Sequence, residues 1–222
     1  MQIINKVQEA ILREFPKVQE SELFYLTGGT ALAMFYLRHR KSRDLDFFTA
    51  VEGLIDPFSR RLEEKLRFSG MTVERQRGLH SFVELVVEQG NESTLIHLAQ
   101  DAPFRFEPPK EFQEYPRLKV DTLVDLASNK LLALFGRATL RDFIDIYVLI
   151  QKSHFQPKEL MEKAKQKDPG FDPYWLAVAF ERIRTFQKDS PDMLMLLMPV
   201  SFQELLTLFD RWREEISSGL TS

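Results

Sequence analysis

Apolar residues recur at helical spacing at the start of the chain. Ile3, Ile4, Val7, Ile11 and Leu12 form one stripe, which predicts a helix over residues 2–15. The period then shortens. Leu23–Thr27 is a brief apolar run that stops at Gly28-Gly29, as a strand ending in a tight turn would. Residues 29–38 read as a helix whose N-terminus faces that turn, and Asp44–Phe48 as a second strand. Asp56-Pro57 opens a helix running to about Phe68, with the aspartate as cap, the proline in the first turn and Gly70 at the end. Met71–Gln76, Ser81–Glu88 and Thr94–Ala99 follow as three successive strands, separated by turn material at Arg77-Gly78 and Gly90-Asn91. Residues 101–117 hold four prolines and read as an extended loop, and Leu118–Val120 as a short edge strand.

From Asp121, a plausible cap, the pattern is helical. Helices are predicted to about Phe135, then over Thr139–Lys152, Pro157–Lys167, Pro173–Arg184 and Phe202–Ile216, with an irregular stretch at Gln187–Pro199. The fold class is therefore α+β. A mixed β-sheet core flanked by helices occupies residues 1–120, and a helical C-terminal region packed on that core occupies residues 121–222.

Composition narrows the classes. The chain has 222 residues, 44% apolar and 28% charged, which suffices for a sizeable core. No run of 18 apolar residues suggests a membrane span. Met1–Lys6 lacks a basic region leading into an apolar run, so no secretory signal is expected. The absence of cysteine removes disulfides, zinc–thiolate sites and thiol nucleophiles, and fits a reducing, cytoplasmic setting. The four histidines show no metal-ligand spacing. With a net charge of −3 the chain lacks the general basicity of a protein that grips long nucleic acid, so any such contact is local. The one basic patch, Arg38-His39-Arg40-Lys41-Ser42-Arg43, either faces solvent at a helix C-terminus or meets phosphate, with Arg43 the foremost candidate.

Two segments carry candidate chemistry. Residues i and i+2 of a strand share a face, so Asp44 and Asp46 converge on one side while Leu45, Phe47 and Phe48 argue for burial. Two buried carboxylates repel unless a cation relieves them, and a paired-carboxylate face suits Mg²⁺ or Mn²⁺ carrying a phosphate chain. Gly28, Gly29 and Thr30 supply a turn whose backbone N–H groups can approach an anion closely. The second segment places Lys130 on an otherwise apolar helix, as a snorkelling side chain or a phosphate ligand. Further on, Arg141 and Asp145 stand at i, i+4, a spacing open to a plain helix ion pair, and Asp142 and Asp145 share a face.

Together, "LTGGTALAMFYLRHRKSRDLDFFT" and "VDTLVDLASNKLLALFGRATLRDFIDIYVLI" resemble the AbiEii/AbiGii-type nucleotidyltransferase toxin family over roughly residues 20–152. The resemblance implies a polymerase-β-like core that moves a nucleoside monophosphate from a nucleoside triphosphate to RNA, notably tRNA, with a cognate antitoxin as partner. Carried over by position, Gly28, Gly29 and Thr30 form the phosphate loop, Asp44 and Asp46 hold the metal, Lys130 is the family's lysine, and Asp142 or Asp145 its later aspartate. Two positions depart from the pattern. His97 stands where a third carboxylate is expected, either as a proton acceptor or as a satisfied sheet histidine, with Glu84 or Asp101 as substitutes. Met34 stands where the classical toxins often carry a lysine. The alternative is a catalytically degraded protein of the same fold that binds a nucleotide or a protein partner.

Overall fold

The computed structural model describes residues 2–102, 104–153 and 155–220. Pro103 of the proline-rich stretch and His154 among the histidines lie outside the described residues. The chain divides into two compact units: residues up to Tyr36 with Lys41–Leu123, and Leu37–Arg40 with the chain from Val124 onward.

The first unit opens with α1 (Lys6–Glu14), shorter than the stripe suggests because Asn5 caps it. The Asn5 side chain accepts from the Gln8 amide at 2.8 Å, and Gln8 returns the bond to the Asn5 amide at 3.0 Å, a reciprocal capping box. β1 (Tyr25–Thr27) leads into α2 (Gly28–Ala31), which continues as a wider π-type turn over Leu32–Leu37. Arg38, at φ +53°, terminates it. Then come β2 (Asp44–Thr49), α3 (Ile55–Phe68), β3 (Thr72–Leu79), β4 (Phe82–Gln89), β5 (Glu92–Gln100), β6 (Lys110–Phe112) and β7 (Tyr115–Val120).

These strands form one seven-stranded mixed sheet in the order β3-β4-β5-β2-β1-β7-β6. β2 is antiparallel to β1 and parallel to β5. Strict alternation sorts the two faces. Leu45, Phe47, Val83, Leu85, Val87, Ile96 and Leu98 are buried on one. That face carries α1 and α3 and a Phe cluster in which Phe15 stacks on Phe47 (centroids 3.7 Å apart) and Phe24 on Phe58 (4.1 Å). The other face holds the half-buried Asp44, Asp46, Phe48, Phe82, Glu84, His97 and Ala99.

Four local expectations are corrected. Asp56 does not cap α3: Leu54 is the cap residue, and Asp56 pairs with Arg60 (3.1 Å) and Arg75 (3.3 Å). The turn expected at Arg77-Gly78 lies three residues further on, at His80-Ser81, because β3 continues through a bulge to Leu79, opposite Phe82. The proline-rich stretch contains β6, so Leu118–Val120 belongs to a longer strand between β1 and the true edge. The first helix of the C-terminal half begins at Leu123 rather than on an Asp121 cap, and the Asp121 carboxylate accepts instead from Thr27 (2.7 Å) and Arg105 (2.6 Å).

The second unit is built on α4 (Leu123–Gly136), α5 (Leu140–Lys152), α6 (Pro157–Lys167), α7 (Pro173–Phe180), α8 (Pro191–Leu194) and α9 (Phe202–Leu220). Thr139 caps α5 with Asp142 in a capping box. Phe143, Phe180, Phe209 and Trp212 form its aromatic core. Among the described residues no helix is long and apolar enough to cross a membrane.

Candidate active site

Thr27 lies opposite Asp46, so the Gly-Gly turn leaves β1 directly beside the second carboxylate. Gly28 has φ +70°, a conformation that disfavours any side chain. A Cβ there would collide with Asp46 Oδ2 and lie 2.9 Å from its Cγ. Glycine is thus required twice, by dihedral and by the carboxylate it faces. Thr30 is fully buried. Its hydroxyl donates to the Asp44 carbonyl and shares a 2.7 Å hydrogen bond with Ser42, which ties the start of α2 to β2.

Asp44 and Asp46 lie two residues apart on the half-buried face of β2, with Leu45 and Phe47 on the buried one. His97 on β5 is level with Asp46, and Glu84 on β4 is level with His97. The imidazole lies between two carboxylates: Nδ1 is 2.8 Å from Asp46 Oδ1 and Nε2 3.3 Å from Glu84 Oε2. The Asp46 hydrogen bond raises the His97 pKa against the opposing effect of burial, with further support from the charges of Asp44 and Glu84.

Among the described residues no three His, Asp or Glu side chains cluster closely enough to hold a metal ion unaided. A magnesium-type site draws only one or two carboxylates from the protein, which share the ion with substrate phosphates and water. Asp44 and Asp46 fit such a role as hard oxygen donors on one face beside an open glycine turn.

Lys130, Asp142 and Asp145 come together in the second unit, with partners the sequence did not suggest. Asp145 is wholly buried. Its carboxylate takes two hydrogen bonds from Arg40 (2.7 and 2.9 Å), one from His39 Nε2 (2.7 Å) and an ion pair from Lys130 (2.8 Å). Lys130 also lies 3.6 Å from Asp142, which Arg137 binds at 2.9 and 3.0 Å. Burial pushes the Asp145 pKa up, but Arg40 and Lys130 win and hold it well below the usual carboxylate range. Asp142 is lowered likewise: Arg137, Lys130 and Thr139 outweigh its burial. His39 is lowered by burial despite Asp145. The possible Arg141–Asp145 ion pair is not the one formed, for Arg141 lies 3.7 Å from Asp192. Nor does Lys130 snorkel: its ammonium is buried against two carboxylates. Within the basic patch, His39 and Arg40 are buried, while Arg38, Lys41 and Arg43 are exposed.

A profile of the nucleotidyl transferase AbiEii toxins of type IV toxin–antitoxin systems matches residues 10–214. The chain belongs to the AbiEii nucleotidyl transferase toxin family. An uncharacterised Aquifex aeolicus protein is 31% identical over 179 residues, covering 78% of this chain and 79% of its own length. Two solved structures share the fold. A candidate nucleotidyltransferase of H. pylori has a TM-score of 0.60 at 20% identity, covering 96% of this chain and 94% of its own. MenT4, a nucleotidyltransferase toxin of Mycobacterium tuberculosis, has a TM-score of 0.58 at 18% identity, covering 97% and 90%. The expected α+β class, with its mixed sheet and flanking helices, is the AbiEii fold seen here.

Sequence reasoning about this AbiEii chain undervalued Glu84. Its spacing from the Asp pair means nothing along the chain, and only the register of β4 on β5 brings it level with His97. The Arg40–Asp145 contact joins residues 105 apart and left no local signal.

Proposed function

We propose that this AbiEii-family protein transfers a nucleoside monophosphate from a nucleoside triphosphate to an RNA acceptor, with tRNA the leading class. The observation that carries the reading is Gly28 at positive φ against Asp46, beside Asp44 on one sheet face. Asp44 and Asp46 are the residues that would hold Mg²⁺ or Mn²⁺. Such an ion, when bound, offsets triphosphate charge and eases ionisation of the attacking hydroxyl.

The remaining chemistry belongs to the chain. The backbone amides around Gly29 and Thr30 orient the phosphates, fixed by the buried Thr30–Ser42 bond. The exposed Arg43, next to Asp44, draws the triphosphate in. The acceptor oxygen bonds to the α-phosphorus, the bond to the β-phosphate oxygen breaks, and pyrophosphate leaves with the electron pair. His97 takes the acceptor proton in those molecules in which its imidazole is neutral, and Asp46 and Glu84 stabilise the imidazolium that results. Asp142 and Asp145 hold the Lys130 ammonium in a fixed place. The family's type IV systems support a cognate antitoxin as partner, and a cytoplasmic setting follows from a nucleotide-consuming reaction on RNA.

The test is transfer of α-labelled nucleotide to RNA by wild type and by Asp46→Ala. Label with wild type and none with a folded Asp46→Ala protein is the expected result. Equal labelling by both would overturn the reading.

A further inference from the structure

The register of the first unit sets two rows of side chains next to each other on the half-buried sheet face. One is Glu84, His97, Asp46 and Thr27 on β4, β5, β2 and β1. The next, two residues or about 7 Å along the strands, is Phe82, Ala99, Phe48 and Tyr25. Aromatic rings thus flank a single methyl group. Phe82 and Phe48 stand two strands apart, about 10 Å at the backbone, with Ala99 between them. Phe82 lies 29° from parallel to His97, with centroids 5.8 Å apart. At the far end Tyr25 is capped by the Arg105 guanidinium, 3.5 Å above its ring and pinned by Asp101 and Asp121. The row is therefore closed at Tyr25, while Phe48, Ala99 and Phe82 remain partly accessible.

The two sides of Asp46 are not equivalent. The glycine turn lies on its β1 side, and His97 and the aromatic gap on its β5 and β4 side. A triphosphate seated at Gly28 leaves the β5 side for the acceptor. We infer that Phe48, Ala99 and Phe82 form a stacking slot for the unpaired terminal base of a single-stranded nucleic-acid acceptor, placing its sugar hydroxyl beside His97 and Asp46. Three features select this occupant. A planar ring fits over a methyl between two phenyl groups. The adjoining Glu84 offers backbone phosphates no cation, so stacking must supply the affinity that charge does not. A base inside a duplex has both faces covered and cannot enter.

The inference rests on the transfer reading, so its test reads binding without turnover. The probe is a ten-nucleotide single-stranded RNA with 2-aminopurine at its 3′ terminus, titrated with the full chain in the absence of nucleoside triphosphate. Phe82→Leu removes a ring and keeps apolar volume. Ala99→Phe fills the gap with a residue that suits a strand. Melting curves confirm that each variant folds. Wild type should alter the 2-aminopurine fluorescence, and each variant should weaken binding about tenfold, the loss of one stacked base. ATP binding by calorimetry should stay within about twofold of wild type. The acceptor KM should rise in proportion, with the ATP KM unmoved.

Equal binding of the probe by wild type and both folded variants overturns the slot. So does no binding by wild type, equal binding of the same sequence as a blunt duplex, or a parallel loss of ATP affinity, which would assign the slot to the donor base. Slot-dependent binding without label transfer by wild type refutes the transfer reading and leaves the slot standing. Transfer by wild type with an unchanged acceptor KM in both variants does the reverse.

Discussion

Gly28→Ala isolates the central contact of the site. At φ +70° an L-residue pays roughly 1–2 kcal/mol for the left-handed conformation. The new methyl also meets the Asp46 carboxylate. Asp46 has little room to retreat, because Oδ1 is held by His97 at 2.8 Å. The carboxylate or the turn must move, and a misplacement of about 1 Å in a reacting constellation costs about 100-fold in rate. Gly70→Ala is the matched control. Gly70 has φ +81° at the end of α3, and nothing lies within 4 Å of an added Cβ. Both substitutions carry the same kind of backbone cost, which lowers Tm by roughly 2–8 °C at about 2–4 °C per kcal/mol for a chain of this size, and the contact with Asp46 adds to it in Gly28→Ala alone. Only Gly28→Ala should lose nucleotide transfer, by about 100-fold at a temperature where both variants are folded. The assay pairs thermal denaturation with initial rates of label incorporation. Wild-type rates in Gly28→Ala, or the same loss in Gly70→Ala, would refute the argument that this glycine is needed for the carboxylate it faces.

The charge cluster of the second unit makes separate predictions. Asp145→Ala leaves Arg40 and Lys130 facing a buried void and should cost about 3–5 kcal/mol in a urea melt; a loss under about 1 kcal/mol would show that the network does not matter to the fold. Folded-state pKa values of Asp142, Asp145 and His39 are all depressed. Each therefore contributes stability that is full above its unfolded pKa and is lost as pH falls through the folded value. At about pH 6.5 the raised His97 works in the opposite sense to His39, so the net fall should come below about pH 4, through the aspartates; urea melts from about pH 5 to about pH 3 that stay flat contradict this. At the active face, His97→Ala should lower kcat by about 10²- to 10⁴-fold, the range for a lost proton acceptor. His97→Asp should restore part of that rate, and a variant faster than wild type would favour a degraded enzyme.

The strongest sequence signals were those in which one strand or turn sufficed. Asp44 and Asp46 share a face because a strand has period two, and the intervening Leu45 and Phe47 are buried as the alternation requires. The glycine turn, the helix capped at Thr139 and the alternation of β4 and β5 were legible for the same reason. β6 was not, because Pro108, Pro109 and Pro116 disguise short strand segments that pair only at the sheet margin. Features that depend on register or distant pairing stayed hidden. Glu84 meets His97 through strand alignment, and Arg40 leaves a basic patch to bind Asp145. The burial of Lys130 between two carboxylates explains why its apolar helix left its role open: neither partner lies on the same helix.

The most direct test of the account is label transfer. Purified protein is incubated with a divalent metal, each α-labelled nucleoside triphosphate in turn and total bacterial RNA, beside the double variant Asp44→Ala/Asp46→Ala. The account predicts a labelled RNA band with one or more nucleotides that is missing from the folded double variant. A band of equal intensity from that variant, or no labelled RNA from wild type with any of the four nucleotides, would contradict it.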